Sequence, residues 1–590
     1  MFVNHSEIAT LIGATTVMFL YSLLFIFLGL SFLKNILKKH ANDYLMISMS
    51  FFLGSAAFLA LWCNLETLVN RADIALMIST LIFIAVIFYC KEFNFKWLFK
   101  PLFKLTSPIA ICLLIITSLA FLCARILPQD FNIGAHIGSG SSMLYFNKTL
   151  FYYLNNDIPR STNSIGQTLL AAIPLFFTFA KSGLWNLFTW IYICIIFYSL
   201  FIYGFLKEIN FSRRNCWIGT FFLLFGTASF SILPTNVIDS GMPIVTVLYA
   251  HSLITIITFF TYLIFGYYYL NNNLKINLSF LVLSFLIIAS WFITCPENIL
   301  IGFPAAILYF GWLYFKGNLQ FKKIASISLF IMGASFVGVS RGGLLSPAMF
   351  RDIQVERTIP GFQDSPVGQP FSFKHPGVDY SITIAPAIFA LQYPTGQRFH
   401  LTNREQEAII PYEFNGTWSH KIFAKIYSDS AKKDAARILL YESELWNSFR
   451  IFLIPILGMV ALFWYTRLHK ENTLLYQFSV ASAILFVGGF ILTFVPYQTG
   501  LKWPFTRFLL PGIIPAQLSF YIAFILIFEK LSIAQKPKQA VFIGILFILT
   551  IGQIIGLTAS ATSNATAISP SGENIITRGT RMVSTDYFVL

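Results

Sequence analysis

Charged residues are scarce in this chain. Only 11% of its 590 residues are Asp, Glu, Lys or Arg, whereas 56% are hydrophobic; an average soluble domain carries about 25% charged residues. Ionisable side chains are nearly absent from the middle of the apolar runs, although ion and proton relays usually need some there. The low charge excludes a water-soluble fold, and the apolar middles argue against a coupled transporter.

Cysteine is also rare. The seven cysteines lie in or beside apolar runs without metal-type spacing, and none lies in the long polar segment after residue 341. We therefore expect neither a zinc site nor a disulfide framework. The formal charge of +15 comes from short basic clusters between apolar runs. Because nucleic-acid binding needs one basic stripe, we expect no nucleic-acid partner.

Apolar runs of helical length make up most of the chain. A helix of about 20 apolar residues crosses a hydrocarbon core of about 30 Å. We predict an all-α polytopic membrane protein with about 14 transmembrane helices (13–15). The runs lie at 8–33, 44–62, 74–90, 109–123, 187–206, 217–233, 246–270, 276–293, 299–315, 324–340, 451–466, 474–495, 507–529 and 540–558.

Basic residues concentrate in alternate loops, which predicts the orientation. One set of loops holds 19 Lys and Arg, whereas the short loops of the other set hold seven. By the positive-inside rule the first set is cytoplasmic. We therefore predict a multi-pass protein of the inner (plasma) membrane with both termini extracytoplasmic.

One apolar segment does not fit this topology as a span. Segment 166–180 has only 15 residues and contains Pro174. If it crossed, every later basic loop would face outward, so we expect it to lie in the interface or to dip partway into the membrane. Residues 124–186 then form one outer loop, and 341–447 and 559–590 form a large extracytoplasmic loop and tail. Helices in 1–108, 109–340 and 448–558 make up the membrane part.

Candidate functional residues gather at the predicted outer surface. Acids and bases beside several cations suit a substrate with a lipid tail and an anionic head, although Arg and Lys at helix ends often only extend to the interface. The set comprises Arg125, Asp130, His136, Asp157, Arg160, Asp239, Glu297, Arg341, Lys502 and Arg507.

Four stretches resemble the GT-C-type glycosyltransferases, polytopic enzymes that transfer a sugar from a polyprenyl-phosphate carrier on the outer face. Segment 124–160 resembles the family's first outer loop, and 161–177 its Pro-containing juxtamembrane segment. Segment 230–254 resembles its second outer loop, and 503–524 (WPFTRFLLPGIIPAQLSFYIAF) the opening of a late span. The resemblance implies a GT-C-like bundle with its core in 109–340, outer loops and juxtamembrane helices.

The resemblance also implies roles for the acidic residues. Asp130 is the candidate base, and Asp239 would orient the acceptor or hold a metal with it. His136, flanked by small residues, is a third catalytic candidate. Asp130 is followed by Phe131 rather than by a second acid, which leaves a divalent cation as an open question. A loop carboxylate or helix cap remains the alternative for each acid.

Substrate binding is assigned to the remaining residues. Arg507 is the candidate for gripping the carrier phosphate, because guanidinium binds phosphate bidentately. Arg341 lies beside flexible glycines, and further candidates are Arg125, Lys502, Asp157 and Arg160. The expected partners are membrane lipid, a polyprenyl-phosphate-linked sugar and a glycan, lipid or protein acceptor. The alternatives are a surface-polysaccharide polymerase or ligase, a lipid or oligosaccharide transporter, and a non-enzymatic scaffold.

Overall fold

A computed structural model describes the helical parts of the chain and one short ribbon. The described residues are 5–37, 41–69, 71–90, 98, 101, 169–177, 183–225, 278–294, 308, 311–312, 314–315, 371–374, 381–384, 456–468, 473–492, 506–530, 540–542 and 544–545. The helices with described bounds are α1 His5–Leu37, α2 Asp43–Val69, α3 Ala72–Tyr89, α4 Gly183–Glu208, α5 Arg213–Phe225, α6 Leu278–Thr294, α7 Ile456–Leu468, α8 Thr473–Leu492 and α9 Thr506–Lys530.

Four of these helices contain stretches long and apolar enough to cross a membrane, namely Ala9–Leu37, Asp43–Glu66, Ala72–Tyr89 and Thr189–Glu208. Four shorter apolar stretches lie in α6, α7, α8 and α9. Large apolar side chains on α3, such as Leu81 and Phe88, are exposed, as expected for a surface facing lipid. The helices indicate a membrane protein. Each described helix coincides with a predicted run, whereas the runs 109–123, 246–270 and 324–340 lie outside the described residues.

Local sequence signals set the helix ends. Asn42 caps α2, because its Oδ1 accepts a hydrogen bond from the Leu45 amide at 3.1 Å, and Asp43 adds a negative charge in the first turn. α4 ends at Glu208, and Asn210 in the turn that follows has a left-handed φ of 65°. The Phe211 amide donates to the Leu206 carbonyl at 3.1 Å, which is the bond that closes a Schellman turn.

Helix α2 is the centre of the N-terminal bundle, where it packs against α1, α3, α4 and α6. Aromatic rings fill the space between α1, α2 and α4: the Trp190 ring lies 6.1 Å from Phe25 and 5.6 Å from Phe51, and Phe25 lies 5.2 Å from Phe58. Such tilted and edge-on pairs stabilise a core beyond the area that they bury.

Glycines bring α1 and α2 into backbone contact. A Cβ atom at Gly29 would overlap the Ser50 backbone, and one at Gly54 would overlap the Phe25 backbone. Small residues permit this approach in membrane helices, where packing replaces the hydrophobic effect as the main attraction between helices.

Helices α5, α8 and α9 pack against the N-terminal bundle. α8 contacts α9, and Phe478 of α8 lies 4.8 Å from Phe205 of α4. The Tyr521 hydroxyl of α9 donates a 2.6 Å hydrogen bond to the Asn215 carbonyl of α5. Gly219 leaves room for the Tyr521 ring. The position of α9 is therefore fixed by α5 and α8.

A short two-stranded antiparallel ribbon accompanies the helices in the described part of the chain. It consists of β1 Phe371–Lys374 and β2 Ser381–Ile384, with Phe371 opposite Ile384. Both strands lie inside the predicted large loop 341–447. Their alternating sequences FSFK and SITI have the period of a strand.

Candidate functional site

Several helix ends meet at one end of the bundle, which we call the α1–α2 end. The Asn42 side chain, at the start of α2, donates to the Gly204 carbonyl near the end of α4 at 2.8 Å. Asn215, in the first turn of α5, reaches Glu529 near the end of α9 at 3.4 Å. The first part of α8 lies here as well, because Phe478 packs on Phe205 in the last turn of α4.

Basic residues from separate loops gather at this end. They are Lys34, Lys207, Arg213, Arg214 and Arg467. Their alternation along the chain predicted that they all lie on one side of the membrane. The structure brings these five residues to the same end of the bundle, and the side of the membrane on which they lie stays a prediction.

The opposite end, which we call the α2–α3 end, contains the turn between these two helices. The Trp62 indole N–H donates to the Ala72 carbonyl at 3.0 Å and ties the end of α2 to the start of α3. Arg71 and Asp73 form an exposed ion pair at 2.7 Å. The hydrogen bond to Asp73 raises the pKa of the Arg71 guanidinium, so Arg71 stays ionised at any physiological pH.

Residues 169–177 pack against this end of the bundle without forming a continuous helix. A short helical turn is followed by a 3-10 helix, Ile173–Phe176, with Pro174 in its first turn, and Phe177 is extended at φ −110° and ψ 124°. Phe176 lies 5.7 Å from Trp62 and Phe177 lies 6.4 Å from Tyr21. The backbone therefore changes direction inside the segment.

The contact between Phe177 and Tyr21 locates this turn along α1. At 1.5 Å per residue, Tyr21 lies about 24 Å from the last residue of α1, which is at the α1–α2 end. A hydrocarbon core is about 30 Å thick. The distance locates the turn along α1, and the partial dip of 166–180 into the membrane stays a prediction. The residues that flank 169–177 on either side lie outside the described residues.

Two buried polar side chains near this end were not among the residues predicted from the sequence. Glu66 of α2 is 1% exposed, and Asn186 in the first turn of α4 is fully buried. The predicted second span ended at residue 62, which left Glu66 in a loop, but α2 continues to Val69. Trp62 and Glu66 are four residues apart, and this spacing could have predicted that both lie on one face of the same helix.

The chemistry open to these two residues differs. A buried carboxylate such as Glu66 is a candidate for proton transfer or charge pairing. The Asn186 amide has no hydrogen-bond partner for its nitrogen or its oxygen among the described residues, and the same holds for the indole nitrogen of Trp190 one turn later. Unsatisfied buried polar groups are rare in folded proteins.

Arg507 is the one predicted site residue that the described chain includes. It lies in the first turn of α9, and Glu529 of the same helix lies at the α1–α2 end. Arg507 and Glu529 are 22 positions apart, which corresponds to about 33 Å of helix. The backbone of Arg507 therefore lies toward the α2–α3 end, the same end as the 169–177 turn.

The other predicted site residues lie outside the described residues, so their mutual geometry stays a prediction. They are Asp130, Asp239, His136, Arg125, Asp157, Arg160, Arg341 and Lys502. Within the described part of the chain no group of three or more His, Cys, Asp or Glu side chains is placed to hold a metal ion.

Comparisons with known proteins give no relative for this chain. No family model matches it, and no curated protein sequence or solved structure matches it either. The resemblance to the GT-C enzymes therefore depends on the residue patterns of the four stretches.

Proposed function

We propose that this chain is a GT-C-type membrane glycosyltransferase that moves a sugar from a polyprenyl-phosphate donor to a glycan, lipid or protein acceptor at the outer face of the membrane. The observation that carries the proposal is the turn at 169–177. It occupies the sequence position at which the family has a Pro-containing juxtamembrane segment. It also packs at the end of the bundle opposite the basic loops.

The sidedness of the proposed site follows from the charges. Basic loops at the α1–α2 end are held on the cytoplasmic side by the positive-inside rule. The α2–α3 end, with the turn at 169–177 and the start of α9, then faces outward. A polyprenyl-phosphate sugar presents its phosphate at this level, because its chain occupies the hydrocarbon core.

The proposed chemistry needs a base and a phosphate-binding cation. Asp130 takes the proton of the acceptor hydroxyl while the carrier phosphate leaves from the sugar carbon. Arg507 binds that phosphate and stabilises the charge that develops on it. Asp239 orients the acceptor or holds a divalent cation. The placement of Arg507 at the start of α9 supports its role, since this start lies near the outer boundary in the proposed orientation.

The test is transfer from polyprenyl-phosphate sugars by purified protein in lipid nanodiscs. Asp130→Asn keeps the size of the side chain and removes the base, so transfer should fall by about 10²–10⁴-fold. Asp73→Asn is the matched control: Asp73 is an exposed carboxylate at the same end, paired with Arg71, and transfer should be retained.

Two results would contradict the proposal. One is the absence of transfer by the wild-type protein from a panel of hexose and pentose donors. The other is equal transfer by wild type and Asp130→Asn. Including Glu66→Gln sharpens the second result, because a loss of transfer confined to this variant would move the base to the buried carboxylate of α2.

A further inference from the structure

Two polar side chains of α4 are buried without a hydrogen bond to any described residue. Asn186 is fully buried, and neither the nitrogen nor the oxygen of its side-chain amide has a partner there. Trp190 is 1% exposed, and the same is true of its indole N–H. Residues four positions apart are neighbours on one face of a helix. We call these two residues the Asn186–Trp190 pair.

Burial of this pair is unfavourable for the protein alone. The surroundings are apolar, since the Trp190 ring lies 6.1 Å from Phe25 of α1 and 5.6 Å from Phe51 of α2. A buried amide that makes no hydrogen bond loses the bonds that water gave it, whereas an apolar side chain of similar shape has none to lose. A polar pair at this position is therefore explained by a partner that binds to it.

The pair lies at the level of the turn at the α2–α3 end. Helices α1 and α4 are both antiparallel to α2, so they run in the same direction. Trp190 lies beside Phe25. Asn186, one turn before Trp190, is therefore level with Tyr21, one turn before Phe25. The Tyr21 ring lies 6.4 Å from the ring of Phe177, the last residue of that turn.

The atoms of the pair indicate the chemical class of the ligand. Asn186 offers two N–H donors and one acceptor oxygen, and Trp190 offers one N–H donor. An anion would satisfy only the donors, and a cation would satisfy only the oxygen. A hydroxyl group both accepts and donates. An uncharged ligand with neighbouring hydroxyl groups can therefore satisfy every atom of the pair.

We propose that the Asn186–Trp190 pair binds hydroxyl groups of a sugar ring, and that the 169–177 turn moves aside to admit it. The inference rests on the proposed function, which supplies a sugar on the donor and on a glycan acceptor. Aromatic rings lie at this level, since Tyr21 is 5.7 Å from Phe58. Apolar and aromatic side chains with a few polar groups are the usual lining of a ligand site.

The first measurement separates a ligand-binding role from a structural one. Asn186→Leu keeps the approximate size of the side chain and removes its polar atoms. Because the amide has no bond to lose, the unfolding midpoint of this variant should equal or exceed that of wild type. The control is Ser519→Ala in α9, which removes another buried hydroxyl that has no partner among the described residues.

The second measurement is the rise in the unfolding midpoint that a sugar causes. One arm compares a polyprenyl-phosphate sugar with polyprenyl phosphate alone, and the other adds a soluble oligosaccharide acceptor. Asn186→Leu should bind the sugar about threefold to tenfold more weakly for each hydrogen bond lost. Trp190→Phe, which keeps a ring and removes the N–H, should weaken the same arm, and Ser519→Ala should match wild type. The arm that responds identifies the sugar as that of the donor or of the acceptor.

Three results would overturn the proposal. They are no response of wild type to either sugar, an unchanged response of Asn186→Leu, and a lower unfolding midpoint of Asn186→Leu, which would assign the amide to a structural bond. If Asn186→Leu does not fold, Trp190→Phe decides by the same comparison of sugar responses. The proposed function fails separately: a sugar response that depends on Asn186, in a protein without transfer activity, would remove the transferase and keep the sugar site.

Discussion

The contact between α1 and α2 gives the sharpest test of the packing. Gly54→Ala adds one methyl group, and its Cβ would lie 2.7 Å from the Phe25 carbonyl carbon and still nearer the oxygen. Ordinary van der Waals contact begins at about 3.4 Å. Because the obstacle is backbone rather than a movable side chain, the two helices must separate by at least several tenths of an ångström.

Two opposing effects of Gly54→Ala set the change in the free energy of unfolding. Overpacking a close-packed interior costs about 1–3 kcal/mol, whereas replacing glycine by alanine inside a helix gains up to about 1 kcal/mol. Separation of the helices also loosens the rings of Phe25, Phe58 and Trp190 around the contact. We expect a net destabilisation of about 1–2 kcal/mol. Gly488→Ala is the matched control, since none of the described residues lies within 4 Å of a Cβ at Gly488 in α8.

Thermal unfolding in detergent checks this prediction. A thiol-reactive fluorophore reports it, because Cys63 and Cys194 are buried free cysteines that become reactive on unfolding. The midpoint should fall by a few degrees for Gly54→Ala and stay level or rise slightly for Gly488→Ala. If Gly54→Ala is as stable as Gly488→Ala, the α1 and α2 backbones are not in contact and the reasoning is refuted.

Three further predictions concern the helix junction, the topology and the donor. Asn42→Ala removes the α2 cap and the bonds to α4, so the unfolding midpoint should drop in the same assay, by more than for Asn42→Ser, which keeps a capping oxygen and loses only the bonds to α4. Single cysteines at Ser365 and Ser571 should react with an impermeant thiol reagent in intact cells; labelling only after lysis would reverse the orientation. Arg507→Ala should weaken donor binding as well as turnover, since the phosphate charge is present before and during transfer; an unchanged KM for the donor would remove Arg507 from the phosphate site.

The apolar pattern predicted the described helices because helix formation in a membrane is a local property. A run such as 8–33 has no stable alternative to a helix in the membrane, since lipid offers no hydrogen-bonding partner for an unpaired backbone group. The ends were less accurate where polar residues continue the helix. α2 passes residue 62 and includes Glu66, because a carboxylate covered by neighbouring helices is tolerated beyond the apolar run.

The turn at 169–177 has some features that its local sequence predicts and others that depend on tertiary packing. Its short length and Pro174 indicated that it does not cross as a helix, and the charge pattern required this. The contacts with Trp62 and Tyr21 were not predictable, because nothing in the pattern of 166–180 indicates which helices it packs against. The β ribbon was missed for a related reason, since pairing of two four-residue strands depends on their meeting.

The sequence by itself determined the membrane class and the positions of the described helices, since both depend on residues close together in the chain. Tertiary structure decided the crossing of α1 and α2 at Gly29 and Gly54 and the burial of Glu66. The sequence around a glycine or a carboxylate looks the same whether that residue contacts another helix or faces lipid. Only the packing of distant segments distinguishes the two, because close packing depends on the shape of both partners.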